Sequence, residues 1–161
     1  MRIAGIVRDS IVDGVGIRDV IFTQGCPHRC EGCHNQVTWA YDTGFEKSAY
    51  DIHKSLKNST NNITISGGEP ILQWADVMFL AKLFRTDGKT IWLYTGYEYE
   101  TLSKEVWKMF ADSGVEVVVD GRFEIDKRDP NLLFRGSSNQ RLIDLPKTIE
   151  ANRIIEWEDN R

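Results

Sequence analysis

The 161-residue sequence has no stretch near the roughly 18 consecutive apolar residues that a bilayer span requires. Residues 1–10 lack the apolar core of a secretory signal, so a cytoplasmic location and no membrane partner are expected. Basic charge is not in surplus either: 20 Lys and Arg stand against 24 Asp and Glu, a net charge of −4. Nucleic-acid binders concentrate cations on one face to neutralise phosphates, so no nucleic-acid partner is expected. No internal repeat, low-complexity tract or Pro/Gly-rich linker divides the chain. With 41% hydrophobic and 27% charged residues, the expectation is one domain over residues 1–161, burying roughly two-thirds of its unfolded surface. Cysteine is scarce. Three are present, too few for a disulfide scaffold, and an odd number in a reducing compartment suits metal binding.

What the chain does have is an alternation of short apolar runs and helical periodicity. Residues 20–23, 63–66, 91–94 and 115–119 are β-branched or aromatic and read as strands, apolar enough to be buried on both faces. Ala49, Ile52 and Leu56 are spaced for a helix, with Ser48 and Asp51 as a capping-box-like start. Val77, Ala81 and Phe84 predict a second helix ending at Asp87-Gly88, and Leu102, Val106, Met109 and Phe110 a third ending at Gly114. Residues 132–134 and 154–157 are weaker strand candidates. Strand–helix–strand alternation implies an α/β fold with a parallel sheet. A full eight-stranded barrel needs about 250 residues, so the expected form is an incomplete (partial) β/α barrel or an open, mostly parallel sheet. The missing wall would leave the site open to a segment of another protein.

Each unusual segment follows a strand, and such loops share the carboxyl edge where α/β active sites lie. After the first comes Cys26-Pro-His-Arg-Cys-Glu-Gly-Cys33, which holds every cysteine of the chain. Three thiolates can hold three corners of a 4Fe-4S cube. An electron-transfer cluster takes four cysteines, so a cube here would keep one iron open to a small molecule. Two other readings compete. His28 or His34 could complete a Cys3His zinc site, although every candidate would then come from one loop. Cys30-Glu-Gly-Cys-His34 matches the haem-attachment pattern, which leaves Cys26 unexplained and normally follows export.

After the second strand comes Gly67-Gly-Glu-Pro70, either turn punctuation or a loop whose backbone N–H and C=O groups meet an amino-acid moiety, with Glu69 adding negative charge. Thr95-Gly-Tyr97 and Asp120-Gly-Arg122 follow the third and fourth; Asp120 could simply cap or pair with Arg122. Trp92, Tyr94, Tyr97 and Tyr99 read as packing more than as a stacking platform, and His53 as a boundary residue of the first helix. Residues 122–141 read as an ordered surface loop, with function open at residues 135–141.

Cys-x3-Cys-x2-Cys followed by a strand ending in Gly-Gly-Glu-Pro resembles the radical S-adenosylmethionine (SAM) superfamily, with Gly32 where an aromatic residue is usual. Val12-Asp-Gly-Val-Gly-Ile-Arg18, Gly25 to Asn35, Thr95-Gly-Tyr97, Asp120-Gly-Arg122 and Arg135-Gly-Ser-Ser-Asn-Gln-Arg141 are together similar to the activating proteins of anaerobic ribonucleoside-triphosphate reductases, over about residues 12 to 142.

The resemblance implies that Cys26, Cys30 and Cys33 ligate the cluster while SAM binds the open iron. Gly32, Cys33 and His34 would lie by the adenine. Gly67, Gly68, Glu69 and Pro70 would receive the methionine end. Asp120 and Arg122 would contact SAM, with Arg122 standing where Lys is commoner. It further implies that a donor such as a flavodoxin-type reductant supplies one electron. SAM would then yield a 5′-deoxyadenosyl radical that takes a hydrogen from a glycine of the reductase large subunit, leaving a glycyl radical. No side-chain acid or base is required, so no catalytic residue is assigned. Rival readings are an activase of another glycyl-radical enzyme of the formate-lyase type, a small-molecule radical SAM enzyme, or a non-catalytic zinc-binding interaction domain.

Overall fold

The computed structural model describes residues 1–159. In chain order the strands and α-helices are β1 (Arg2–Ser10), β2 (Arg18–Thr23), β3 (Phe45–Glu46), α1 (Ala49–Leu56), β4 (Asn62–Gly67), α2 (Trp74–Thr86), β5 (Ile91–Tyr94), α3 (Lys104–Ser113), β6 (Val115–Asp120), β7 (Arg141–Asp144) and α4 (Leu145–Ala151). They build one open seven-stranded sheet in the order β3-β1-β2-β4-β5-β6-β7. The four strands expected from sequence, β2, β4, β5 and β6, are its parallel centre. The edges depart from a purely parallel sheet, since β1 and β3 on one side and β7 on the other run antiparallel. Of the alternatives left by the sequence, the open sheet is the observed one.

Period-two alternation in the central strands separates two apolar layers. Ile63, Ile65, Ile91, Leu93 and Val118 face a large core shared with α1, α2 and α3 through Ile52, Leu80, Phe84, Trp107 and Phe110. Burying each such side chain contributes about 1.5–3 kcal/mol. Trp92, Val117, Val119 and Leu142 belong to a smaller cluster covered by Val15, Phe134 and Trp157. Trp92 meets Phe134 and Trp157 edge to face at 5.4 and 5.0 Å between ring centres, so the expectation of packing holds for it. Tyr99 stacks on Trp107. His53 does lie within α1 at the margin of its buried face, against Phe84 and 2.7 Å from Asp87 Oδ2.

Helix ends follow the sequence. Ser48 Oγ accepts from the Asp51 N–H at 3.0 Å, Ser103 caps α3, and Gly114 ends it at φ +109°, a left-handed conformation that favours glycine. Among the described residues no helix is long and apolar enough to cross a membrane.

A cation lies wholly inside. Arg18 has no solvent exposure and lies 5.3 Å from the Trp92 ring centre. Its Nε donates to Thr64 Oγ1 at 2.7 Å, Nη1 to Val15 O at 3.0 Å and Thr90 Oγ1 at 3.2 Å, and Nη2 to Thr90 O at 3.0 Å and to Ile63 O. Burial brings its pKa down to about 10, so it stays a cation at neutral pH.

Candidate functional site

The parallel centre brings the loops after β2, β4, β5 and β6 to one edge, where they enclose a cavity of about 130 Å³. The loop after β2 folds back on itself. Gly25 N–H donates to Thr38 O at 2.8 Å and Cys26 N–H to Trp39 O at 3.2 Å. The turn between the last two cysteines is closed by Cys33 N–H to Cys30 O at 3.1 Å. Cys26, Cys30 and Cys33 all line the cavity, opposite Gly67 and Gly68 of the second loop, Thr95 and Gly96 of the third, and Gly121 and Arg122 of the fourth. Burial pushes the Cys26 and Cys30 thiols up, opposed at Cys26 by the N–H groups of His28 and Arg29 and at Cys30 by that of Phe123. A bound metal reverses that balance, because its charge deprotonates a coordinating thiol. Among the described residues no three His, Cys, Asp or Glu side chains close on one point as a single-ion site; the three thiols stand around the cavity wall instead. A donor set of soft sulfurs without a carboxylate suits iron–sulfur ligation.

The glycines of the second loop are required by the chain's own packing. Gly67 has φ +105°, and a Cβ there would stand 2.4 Å from the Thr23 nitrogen; one on Gly68 would stand 2.3 Å from Gly25 O. The N–H groups expected to be free are not. Gly68 N–H donates to Thr23 O and Glu69 N–H to Gly25 O, each at 2.8 Å. A ligand is therefore left with carbonyl oxygens here, which suit an ammonium donor and not a carboxylate.

Glu69 also differs from a charge facing a ligand. It is fully buried, with Oε1 accepting from Ile71 N–H and Thr95 Oγ1 at 2.9 Å each. Its Oε2 accepts from Gly96 N–H at 2.8 Å and lies 2.7 Å from His28 Nε2. His28 thus serves the loop junction, and its other contacts are the Tyr97 ring edge and Gly96, where a Cβ would stand 2.3 Å from the imidazole. Pro70 is buried at the start of the 3-10 helix Pro70–Gln73.

Asp120 pairs with Arg141 and not with Arg122. Its Oδ1 accepts from Arg141 Nε at 3.0 Å, Arg141 Nη2 reaches Oδ2, and Tyr99 N–H donates to Oδ2 at 2.8 Å. Arg141 also grips Glu100 at 2.9 and 2.7 Å, and these bonds, with those to Asp120, push its pKa up. Arg122 remains on the cavity wall. Gly32, at φ +72°, backs onto Ile125, 2.7 Å from where a Cβ would lie. His34 is exposed and tilts against Phe123 at 5.6 Å between ring centres.

A second cavity of about 520 Å³ adjoins the first, sharing Cys33, Ser66, Tyr94, Phe123 and Gln140. It lies between residues 11–13 and residues 128–136 and also takes in His34. The segment at residues 135–141 is its buttress. Gln140 Oε1 accepts from Gly136 N–H at 2.9 Å and Ser137 N–H at 3.2 Å, its Nε2 donates to Gly121 O at 3.0 Å, and Arg135 donates to Gln140 O at 2.8 Å. Residues 132–134 are not a strand. Phe134 sits instead at φ +61° and accepts the Tyr94 hydroxyl at 2.6 Å.

The chain is similar to known proteins over most of its length. A family model described as a 4Fe-4S single cluster domain matches residues 12–143. The anaerobic ribonucleoside-triphosphate reductase-activating protein of Escherichia coli K12 is 38% identical over 140 residues, covering 81% of this chain and 90% of that protein. The protein of the same name from Vibrio cholerae is 33% identical over 141 residues, covering 81% and 89%, and that of phage T4 is 36% identical over 143 residues, covering 81% and 86%. The chain belongs to the anaerobic ribonucleoside-triphosphate reductase-activating protein family. In this family member three residues of the site escape sequence reasoning: Trp39, whose carbonyl anchors Cys26, Gln140, which braces the larger cavity, and Arg141, the partner of Asp120. Gln140 and Arg141 do stand in a motif of the resemblance; for Trp39 no sequence signal exists, since its place depends on how the loop closes.

Proposed function

We propose that the protein is a glycyl-radical-generating activating enzyme, the whole chain working as one radical SAM domain. It would use a 4Fe-4S cluster and SAM to install a glycyl radical on the large subunit of an anaerobic ribonucleoside-triphosphate reductase. The observation that carries this reading is the convergence of Cys26, Cys30 and Cys33 with Gly67 and Gly68 on one cavity that opens into a larger one. When bound, cluster and SAM together supply one-electron reductive cleavage of the sulfonium, ending in hydrogen abstraction from a glycine of the partner.

The chain's own residues would do the holding and screening. Cys26, Cys30 and Cys33 would take three irons. The carbonyl side of Gly67 and Gly68 would accept from the SAM ammonium, because their neighbouring N–H groups are already occupied. Arg122 offers the cation at the cavity wall for the SAM carboxylate, and Gly32, Cys33 and His34 edge the space for the adenine. Glu69 and Pro70 act one step back, by fixing the loop, and Asp120 by fixing Arg141. The larger cavity has room for the nucleoside and for an incoming glycine segment, and the docked partner would close its open side, since excluding water protects a reactive carbon centre. A flavodoxin-type protein is the proposed electron donor.

Anaerobic reconstitution tests this directly. About four irons and four sulfides per chain are expected, with SAM cleavage on reduction and a glycyl-type doublet in electron paramagnetic resonance after mixing with the reductase. Zinc without acid-labile sulfide would sink the reading. Cleavage without the doublet would redirect it to another substrate.

A further inference from the structure

Trp39 is held beside the first cysteine by main-chain bonds. It follows the 3-10 helix Gln36–Thr38, its carbonyl accepts the Cys26 N–H at 3.2 Å, and the carbonyl before it accepts the Gly25 N–H at 2.8 Å. Trp39 lines the same cavity as Cys26, Cys30 and Cys33. Yet the indole Nε1–H is buried and has no acceptor among the described residues. Buried indole N–H groups normally find one, as Trp107 does at Tyr99 O, 2.7 Å away. The polar groups of this loop junction each have a partner already. His28 is held by Glu69, the Thr38 and Trp39 carbonyls by Gly25 and Cys26, and the Gly25 carbonyl by Glu69 N–H. Sulfur is the acceptor that the cavity gains when it is filled.

We infer that the Trp39 indole N–H donates a hydrogen bond to a sulfur of the cluster held by Cys26, Cys30 and Cys33, and so sets how readily the cluster accepts its electron. This rests on the cluster reading above. Hydrogen bonds to cluster sulfurs are one of the levers that fix reduction potential. Reduction adds negative charge to the sulfurs, so a donor favours the reduced form and its removal disfavours it. Tryptophan suits the task because its N–H neither titrates nor carries charge, and its ring also covers the cavity wall.

The test uses the full chain, reconstituted anaerobically, isotopically labelled at the indole nitrogens, reduced with dithionite and read by pulsed electron paramagnetic resonance. Of five tryptophans, Trp39 alone lines either cavity. A hyperfine coupling from a labelled indole to the reduced cluster is expected in the parent protein and is expected to vanish in Trp39→Phe. The ratio of reduced to oxidised cluster in that variant, poised at one fixed potential, should fall several-fold. A loaded parent protein without the coupling overturns the inference, as does a coupling that persists in Trp39→Phe. Should Trp39→Phe fail to load, the parent spectrum decides alone, presence of the coupling supporting the inference and absence overturning it. Protein that takes up no iron and sulfide at all fails at the cluster reading, and the inference falls with it.

Discussion

His28 Nε2 lies 2.7 Å from Glu69 Oε2, with both side chains almost wholly out of water. The pair ties the cysteine loop to the loop after β4, and Glu69 extends the tie to the loop after β5 through Thr95 and Gly96. Three of the four loops at the cavity therefore share one carboxylate. Its worth lies in geometry, because its four contacts come from three loops: Ile71 in its own, His28 in the cysteine loop, and Thr95 and Gly96 in the loop after β5.

Glu69→Gln should loosen that junction without emptying the space. The amide keeps one acceptor and turns the other into a donor facing donors, which leaves buried groups unpaired at a cost of about 1–3 kcal/mol. Urea unfolding should show the loss as a lower midpoint with unchanged slope. Iron uptake should fall with it, because the cysteine loop loses its tie through His28.

Gly68→Ala and Gly5→Ala make a matched pair. A Cβ at Gly68 would stand 2.3 Å from Gly25 O, whereas one at Gly5 would meet nothing within 4 Å. Overpacking of the first kind costs about 1–3 kcal/mol, and here it also moves the cysteine loop. Gly5→Ala should leave the melting temperature unchanged or slightly higher, since it mainly narrows the unfolded ensemble. Equal melting temperatures for the two variants would refute the close-packing account.

Arg141→Met and Arg122→Met should separate the two arginines. The first strips the partner from Asp120, whose side chain is 1% exposed, while Arg141 itself keeps 28% of its side chain in water. Its cost should be a fraction of the roughly 3–5 kcal/mol seen when a fully buried pair is broken. Arg122→Met should unfold like the parent and instead weaken SAM binding, as read by equilibrium dialysis on cluster-loaded protein.

Asn61→Ala should change the acid limb of stability. Asn61 Nδ2 donates to Asp19 Oδ1 at 2.8 Å and to Asp9 Oδ1 at 2.7 Å. Burial pushes the Asp19 carboxyl up, but hydrogen bonds from Asn61, Ser59 and the Asp9 N–H outweigh it and hold the group below the usual carboxylate range. A depressed carboxyl contributes stability that is fully present above its unfolded pKa and disappears as pH falls through the folded one. Without Asn61 the folded pKa rises, so thermal melts followed from neutral to acid should lose stability at a higher pH than the parent. Superimposed pH profiles would count against the assignment.

Much of this was legible because one physical signal dominates. Residues 63–66, 91–94 and 115–119 are short, mostly apolar and rich in β-branched or aromatic side chains, as a covered central strand needs. Loops after such strands fall on one edge, which is enough to bring Cys26, Gly67, Thr95 and Arg122 together. β1 escaped because Arg2, Gly5, Arg8 and Asp9 suit a half-exposed edge, and β3 because two residues carry no periodicity. β7 and α4 escaped because they follow an irregular stretch whose hydrogen bonds run through Gln140 and Arg141. The hydrogen-bond partners of Glu69 and Asp120 lie beyond the sequence for a common reason. A sequence shows that a carboxylate is present at a loop, and only the fold shows that its oxygens are already taken.

The Arg18 cation has acceptors on three separate pieces of chain: Val15 just before it, Ile63 and Thr64 in β4, and Thr90 at the entrance to β5. A polypeptide cut before Thr90 would keep the acceptors on Val15, Ile63 and Thr64 and lose the two on Thr90, leaving the buried cation three of its five hydrogen bonds. Thr90 thereby joins the entrance of β5 to the β2–β4 pair through the same guanidinium, so one cation is shared by the first three strands of the parallel centre.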